Sequence, residues 1–467
     1  MLNPLPFRIR QPYEDIVRLR QIAEVLLRNG LGFLAEQLDL TRFLPPWRQK
    51  GLTTGDRANK YSIPERVRHT LEELGPTFIK LGQILSTRPD LLPPDYIEEL
   101  SKLLDAATPV PVSEILTELE RELNAPPQNL FAHFGTEPIA SASIGQAHRA
   151  VLKNGEAVIV KIRRPGVERV IEADLDLLMR QARFLEHRLA LAREYRLSEL
   201  VDEFGQTLRD ELDYTIEGRN MDRLRYNLQQ DSRVVIPHVH WDLTTRRVIT
   251  MQELRGYKLL DLDALRREGY DLFAIAEVIV DVYFKQVFVD GFFHADPHPA
   301  NILVCDEQIG FVDFGMMGYL TPATKDLLAD LLVNTLNQDI EQLTQIVIRL
   351  GTVERRTNVN ELRRDIQRLF LRYYGLALEE VHLGEFLENI MTIAFRHHLH
   401  LPADLALLAR TVVVLEGVAR TLAPDLVLVD KARPFVQRLV SEQLSLQHLG
   451  ARAVRTLRDL DQLVQVL

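Results

Sequence analysis

Apolar residues recur along this chain at two periods, and the changes between them mark out its elements. Up to about Asn124 the spacing is helical, with apolar stripes from Tyr13 to Leu38, then Phe43, Leu44 and Trp47, interrupted by a linker at Pro45-Pro46 and Gly51 to Gly55. Pro76 suits a first helical position. On the helix it opens, Lys80 and Gln83 lie three apart on one face while Phe78, Leu81 and Leu85 lie towards another, so one face can bury while the other presents polar groups. Beyond Leu130 short β-type runs appear: Ala157-Val-Ile-Val-Lys-Ile, Val234 to Val239 and Val248 to Met251, with a helical stretch from Leu197 to Gln229 among them. Two short strands, Ile302 to Cys305 and Gly310 to Asp313, precede a periodic helix from Thr324 to Asn337. The most apolar stretch, Leu405 to Val429, is broken by Arg410, Glu416, Arg420 and Asp425, which predicts buried helices rather than a membrane span. An amphipathic pattern then runs from Lys431 to Leu467.

Composition narrows the class. Of 467 residues, 26% are charged and 46% hydrophobic, as in a globular protein able to bury a large core. A formal net charge of -10 gives no footprint for nucleic acid. The single cysteine, Cys305, excludes an intramolecular disulfide and suits a reducing compartment, and its place in an apolar strand argues for burial rather than catalysis. The N-terminus lacks the apolar run of a signal peptide. Arginine-bearing apolar stripes at Tyr13 to Leu38 and Lys431 to Leu467 have the composition of interfacial helices, or of helices that cover a domain.

The chemistry concentrates at His294-Ala-Asp-Pro-His-Pro-Ala-Asn301 and Phe311-Val-Asp-Phe-Gly315. In protein kinases a catalytic-loop Asp accepts the nucleophile's proton, an Asn at a fixed offset binds one metal, and the Asp of Asp-Phe-Gly binds metal bridging the phosphates. Asp296, Asn301 and Asp313 match those three posts. Lys161, on its apolar run, resembles the strand lysine that holds the α- and β-phosphates; Glu211, Asp213 and Glu217 are the helix acids available to pair with it. Glu253-Leu-Arg-Gly256 reads as a hinge that takes part in nucleotide binding. His294, Asp296 and His298 also have the residue types of a metal cluster, although Pro297 and Pro299 restrict the backbone between them.

The loop expected over the phosphates departs from kinases, reading Pro138-Ile-Ala-Ser-Ala-Ser-Ile-Gly-Gln146, with Ala140, Ser141, Ala142 and Ser143 where glycines are usual and only Gly145 remaining. Added side chains narrow the backbone's range, while the Ser141 and Ser143 hydroxyls offer substitute donors. Together with Gly75-Pro-Thr-Phe-Ile-Lys80-Leu-Gly-Gln83, Glu211-Leu-Asp213 and the His-x-Asp-Pro-His-Pro-x-Asn loop, this resembles the UbiB (AarF) family of atypical kinases from about Arg66 to Gly318.

The resemblance implies an α+β, two-lobed protein-kinase-like fold, with an N-terminal helical extension over the active site and extra C-terminal helices. Its regions would be a helical segment at 1–60, the Lys-x-Gly-Gln extension at 61–129, an N-lobe at 130–253, a C-lobe at 254–429 and a helical tail at 430–467. It implies binding of ATP or ADP with Mg2+ or Mn2+, ATPase-type activity, and support of coenzyme Q or another prenyl-lipid pathway. The expected location is cytoplasmic, peripheral at the inner face of a membrane; the expected partners are a membrane lipid or prenylated small molecule and quinone-biosynthesis proteins. By position, Lys161 resembles the nucleotide-binding lysine, Glu217 its helix partner, Asp296 the catalytic aspartate, and Asn301 and Asp313 the metal ligands. Lys80 and Gln83 match a regulatory motif whose lysine is expected to meet Glu211 and Asp213.

After Asp313-Phe-Gly the chain passes quickly through Gly318 and Pro322 into a helix, with no Ala-Pro-Glu motif, which argues against a peptide substrate and for water, a small molecule or a lipid headgroup. A nucleotide-sensing pseudokinase and a small-molecule phosphotransferase are the alternatives. UbiB relatives often carry transmembrane helices near one terminus, and the pattern still running at Val466-Leu467 suits a chain trimmed before such a segment.

Overall fold

Four strands pair into one antiparallel sheet in the order Phe131–Ser141 (β1), Gly145–Leu152 (β2), Ala157–Arg163 (β3) and Val248–Gln252 (β4). Along β3, Val158, Val160 and Ile162 are fully buried, and the two-residue period puts Lys161 on the opposite face. The structure, a computed structural model, describes residues 12–44 and 60–443 except 87, 89–90, 104–106, 195, 338, 354–357, 374–381 and 398. The chain divides into two units, Met1–Arg219 with His238–Glu253, and Asn220–Pro237 with Leu254–Leu467.

The first unit joins the sheet to the helical extension. The buried face of the sheet packs on Ile115 and Leu119 of the helix Val112–Leu123. The extension is built from Pro12–Arg28 (α1), Ile63–Leu74 (α2) and Pro76–Leu85 (α3), followed after the hairpin strands by Val167–Arg188 (α4) and Leu197–Glu211 (α5). Ser62 and Glu65 form a reciprocal capping box at the start of α2. Leu26, Leu71, Phe78, Leu100 and Leu177 share one core among these helices. Buried Asp174 on α4 fixes their mutual position: its carboxylate accepts from Arg18 Nε at 2.7 Å, Arg18 Nη2 at 2.8 Å and Thr77 Oγ1 at 2.7 Å. Arg18 Nη2 also donates to the Leu74 carbonyl at 2.8 Å.

The helical stretch expected from Leu197 to Gln229 is two helices, α5 and Tyr214–Leu228 (α6). The break has a local cause, because Asp213 accepts from the Thr215 backbone N–H at 3.0 Å and hydroxyl at 2.6 Å, and so caps the start of a new helix. The strand expected from Val234 to Val239 is also divided. Val234–Val235 belongs to the second unit, whereas Val239 makes a lone bridge to Met251 in the first, with Pro237 between them unable to donate to a ladder.

In the second unit Ile302–Cys305 (β5) and Gln308–Phe311 (β6) form a hairpin, with Val234–Val235 parallel to β6 and Tyr257–Lys258 antiparallel to β5. Leu272–Phe284 (α7), capped by Asp271, continues into a π-helical turn over Lys285–Asp290. Phe292–His294 then pairs with Met317–Tyr319, and Pro322–Leu336 (α8) follows, capped by Thr321. Ala403–Leu422 (α9), from the most apolar stretch, buries Leu405, Leu408, Val412, Leu415 and Ala419 within this unit. Among the described residues no helix is long and apolar enough to cross a membrane. The linker at Pro45-Pro46 and Gly51 to Gly55, Trp47 and the tail beyond Gln443 lie outside the described residues.

Candidate functional site

In the first unit, Lys161 Nζ donates to Glu217 Oε1 at 2.6 Å, so of the three acids on offer the one on α6 pairs with the strand lysine. The Glu217 side chain is only 7% exposed, which makes the lysine its necessary counterion. Lys80 Nζ on α3 lies 3.1 Å from Glu211 Oε2 at the end of α5, with both side chains largely covered. Asp213 does not share the position expected for it beside Glu211: besides capping α6 it pairs with Arg246 Nε at 3.2 Å. Gln83 Nε2 donates to the Leu103 carbonyl at 3.2 Å. Between these two residues Gly82 admits Leu103 and Leu71; an added Cβ would lie 2.2 Å and 2.8 Å from their side chains. The motif glycine therefore serves packing, and Lys80 the surface of the same helix.

Ala140 and Ser141 end β1, Ala142 and Ser143 lie in the turn and Gly145 opens β2; this turn is held from outside by a residue that the sequence pattern did not single out. Arg164, just past β3, donates to the Ala142 carbonyl at 2.7 Å, the Thr108 carbonyl at 2.7 Å and Ser141 Oγ at 2.8 Å. Ser141 is thus engaged by an arginine, and Ser143 is buried. Gly145 is required by space, since a Cβ there would stand 2.0 Å from the Tyr214 hydroxyl and 3.2 Å from the Ile162 carbonyl. Behind the loop, His148 Nδ1 donates to the Gly135 carbonyl at 2.8 Å, which leaves Nε2 to accept from Gln146 Nε2 at 2.9 Å. Burial pushes the His148 imidazole below its usual range, consistent with this neutral form. At the hinge, the Glu253 carboxylate accepts from Arg149 Nε at 2.7 Å and its backbone N–H donates to the Ala157 carbonyl at 3.0 Å.

In the second unit Asn301 Nδ2 donates to Asp296 Oδ2 at 2.7 Å. This orients the Asn301 amide so that its carbonyl oxygen is left as a ligand, and fixes the Asp296 carboxylate. Asp313 is exposed, one of its oxygens accepting from the Gly315 N–H at 3.1 Å. His294, 1% exposed, ties the two acids together through their backbones: the Asp296 N–H donates to its Nδ1 at 3.3 Å, and its Nε2 donates to the Asp313 carbonyl. Burial lowers the His294 pKa, so the ring is neutral in this role. Gln286, from the π-helical turn, accepts from the His294 N–H at 2.8 Å, and Phe314 packs its ring edge-on to the imidazole at 5.6 Å.

Both His294 nitrogens are thereby used, and His298 Nδ1 accepts from the Ala300 N–H at 3.2 Å. The alternative metal cluster of His294, Asp296 and His298 is not formed; among the described residues no three His, Cys, Asp or Glu side chains are placed to hold a metal ion. A magnesium site of one carboxylate, one amide oxygen, phosphates and water needs no such cage, and the Asn301 and Asp313 oxygens fit it. Cys305 is a half-buried free thiol pushed up to about 11 by desolvation, unsuited to nucleophilic work.

Further residues that sequence reasoning missed converge on this loop. Asn220 Nδ2 donates to the Phe314 carbonyl at 3.1 Å. Thr411 on α9 donates to the Ala295 carbonyl at 3.1 Å, while its neighbour Arg410, lowered in pKa by burial, feels the opposing charge of Asp296. Two of them left a signal, Gln286 as an amide within an apolar helical run and Arg410 as a charge inside the most apolar stretch.

A sheet lysine paired with a helix glutamate, and an Asp–Asn loop tied to an Asp-Phe-Gly turn, define a protein-kinase-like fold. The sequence matches the model of the ABC1 atypical kinase-like domain over residues 102–347 and that of the UbiB helical domain over 366–427. It is 38% identical over 434 residues to a probable protein kinase UbiB of Marinobacter nauticus, covering 90% of this chain and 78% of that one. With the probable protein kinase UbiB of Pseudomonas aeruginosa it shares 37% identity over 443 residues, 92% of this chain and 83% of the other. Among solved structures, the complex of Rv3197 with erythromycin from Mycobacterium tuberculosis is similar in fold, with a TM-score of 0.55, 24% identity and coverage of 79% of this chain and 93% of that chain. The chain belongs to the ABC1/UbiB family of atypical kinase-like proteins.

Proposed function

We propose that the protein is an atypical kinase-like ATPase that binds ATP or ADP with Mg2+ or Mn2+ and supports ubiquinone or another prenyl-lipid pathway at the inner face of a membrane. The observation that carries this reading is the Asp296–Asn301 hydrogen bond of 2.7 Å, in a loop that His294 ties to Asp313. Those contacts fix a proton acceptor and two oxygen ligands before any substrate arrives, which is the preorganisation that phosphoryl transfer requires.

Lys161, held by Glu217, contacts the α- and β-phosphates. Asn301 Oδ1 and Asp313 would hold the metal, which would supply neutralising charge on the phosphate oxygens. Asp296, with Oδ2 engaged by Asn301, uses Oδ1 to take the proton of the attacking hydroxyl or water. Neutral His294 positions both acids without adding a positive charge. Lys80, paired with Glu211, controls access. The acceptor is water, a small molecule or a lipid headgroup; support comes from the chain between Asp313 and α8, which holds only the short strand Met317–Tyr319 and gives no room for a peptide platform. The names of the UbiB relatives support the pathway reading. The partners proposed with it are quinone-biosynthesis proteins.

Asp313→Asn is the direct test, because the side chain is exposed and its loss leaves the core intact. Calorimetric titration with ADP and magnesium is expected to show metal-dependent binding abolished at an unchanged melting temperature; unchanged affinity would remove Asp313 from the site.

A further inference from the structure

Helices α1, α3, α4 and α5 of the extension line a half-open pocket of about 310 Å³, as large as the smaller small-molecule sites, which begin at about 300 Å³. Its walls are almost wholly aliphatic, with Ile22, Leu81, Ile84, Leu178 and Val201 among them. Two charged residues reach it, Arg88 and Glu203, and they pair with each other at 3.5 Å, so the lining is neutral. One polar feature stands apart: Gln181 on α4 lines the cavity, and its Oε1 is buried with no hydrogen-bond partner among the described residues. An orphaned acceptor in an apolar wall is costly, and a donor entering the cavity would satisfy it.

We propose that this cavity is a binding site, separate from the nucleotide-binding residues, for a neutral single-tailed amphiphile: an aliphatic body against the leucine walls and one hydroxyl donating to Gln181 Oε1. A charged head is disfavoured because the lining offers no unpaired counterion. The site lies on the helices that end in function, since α3 carries Lys80 and α5 carries its partner Glu211.

The test uses the full chain and 1-aminoanthracene, a fluorescent apolar probe with one amine donor, displaced by 1-decanol or by its methyl ether, which lacks the donor. Saturable binding of one probe per chain is expected, undisturbed by saturating ADP and magnesium, with 1-decanol competing about fivefold better than the ether, the worth of one hydrogen bond. Gln181→Leu should abolish that difference while the ether still competes. Val201→Phe should fill the space and weaken the probe at least about tenfold, with a melting curve establishing that both variants fold. Absence of saturable binding, displacement of the probe by nucleotide, or affinities unchanged in both variants would overturn the proposal.

Discussion

Gly145 and Tyr214 offer a test of how the turn between β1 and β2 is seated. A Cβ on Gly145 would stand 2.0 Å from the Tyr214 hydroxyl, and the next contacts are the Ile162 carbonyl at 3.2 Å and the tyrosine ring carbon at 3.3 Å. Carbon contacts settle near 3.5 Å, so Gly145→Ala carries a steric overlap of about 1.5 Å against one atom and only a few tenths against the others. Overpacking of this kind costs roughly 1–3 kcal/mol. Tyr214→Phe removes the offending atom. The double variant should therefore be about as stable as Tyr214→Phe alone, a favourable coupling of roughly 1–3 kcal/mol. In scanning calorimetry a loss of about 2 kcal/mol lowers the melting temperature of a unit this size by about 4–8 °C, so Gly145→Ala should show that drop and the double variant recover most of it. Additive losses would refute the reasoning, because they would mean that the hydroxyl is not what excludes a side chain from position 145.

Lys161→Met should leave Glu217 buried without its counterion, lowering stability by roughly 3–5 kcal/mol, whereas Lys161→Met with Glu217→Leu should regain much of it; thermal melts of the two measure the difference. Asp174→Ala should cost a similar ~3–5 kcal/mol by stranding Arg18, seen as loss of the first unit's transition in calorimetry. Stability should also fall in mild acid. The unfolded histidine titrates near 6.5, while burial holds His148 and His294 below their usual values, so below about pH 6.5 the unfolded chain binds more protons and stability declines until the folded rings also titrate. His294→Gln should flatten part of that slope in melts taken from about pH 7 to 5, and an unaltered slope would remove His294 as its source.

Much of this architecture was legible because local rules and tertiary structure agree. The two-residue alternation in β3 already separates Lys161 from its buried neighbours, and the hairpin expected at Ile302 to Cys305 and Gly310 to Asp313 forms, although its second strand is Gln308–Phe311 and ends before Asp313. Where the reading failed, a single polar residue overrode the period. Asp213 turns one expected helix into two by capping the second, and in doing so leaves Lys80 to Glu211. Pro237 divides a strand between two units. Arg164 and Tyr214 were silent because their roles depend on contacts far along the chain, and no local pattern marks an arginine that will pin a loop. The cavity was equally hidden, since a leucine lining a void and a leucine filling a core look alike in sequence.

Phosphate release from magnesium ATP, measured for wild-type protein beside Asp296→Asn with and without anionic liposomes, decides whether the protein is an ATPase. Turnover is expected to rise with lipid and to be lost in Asp296→Asn while nucleotide binding persists. Nucleotide binding without turnover in every condition, or turnover that survives the substitution, would contradict that reading.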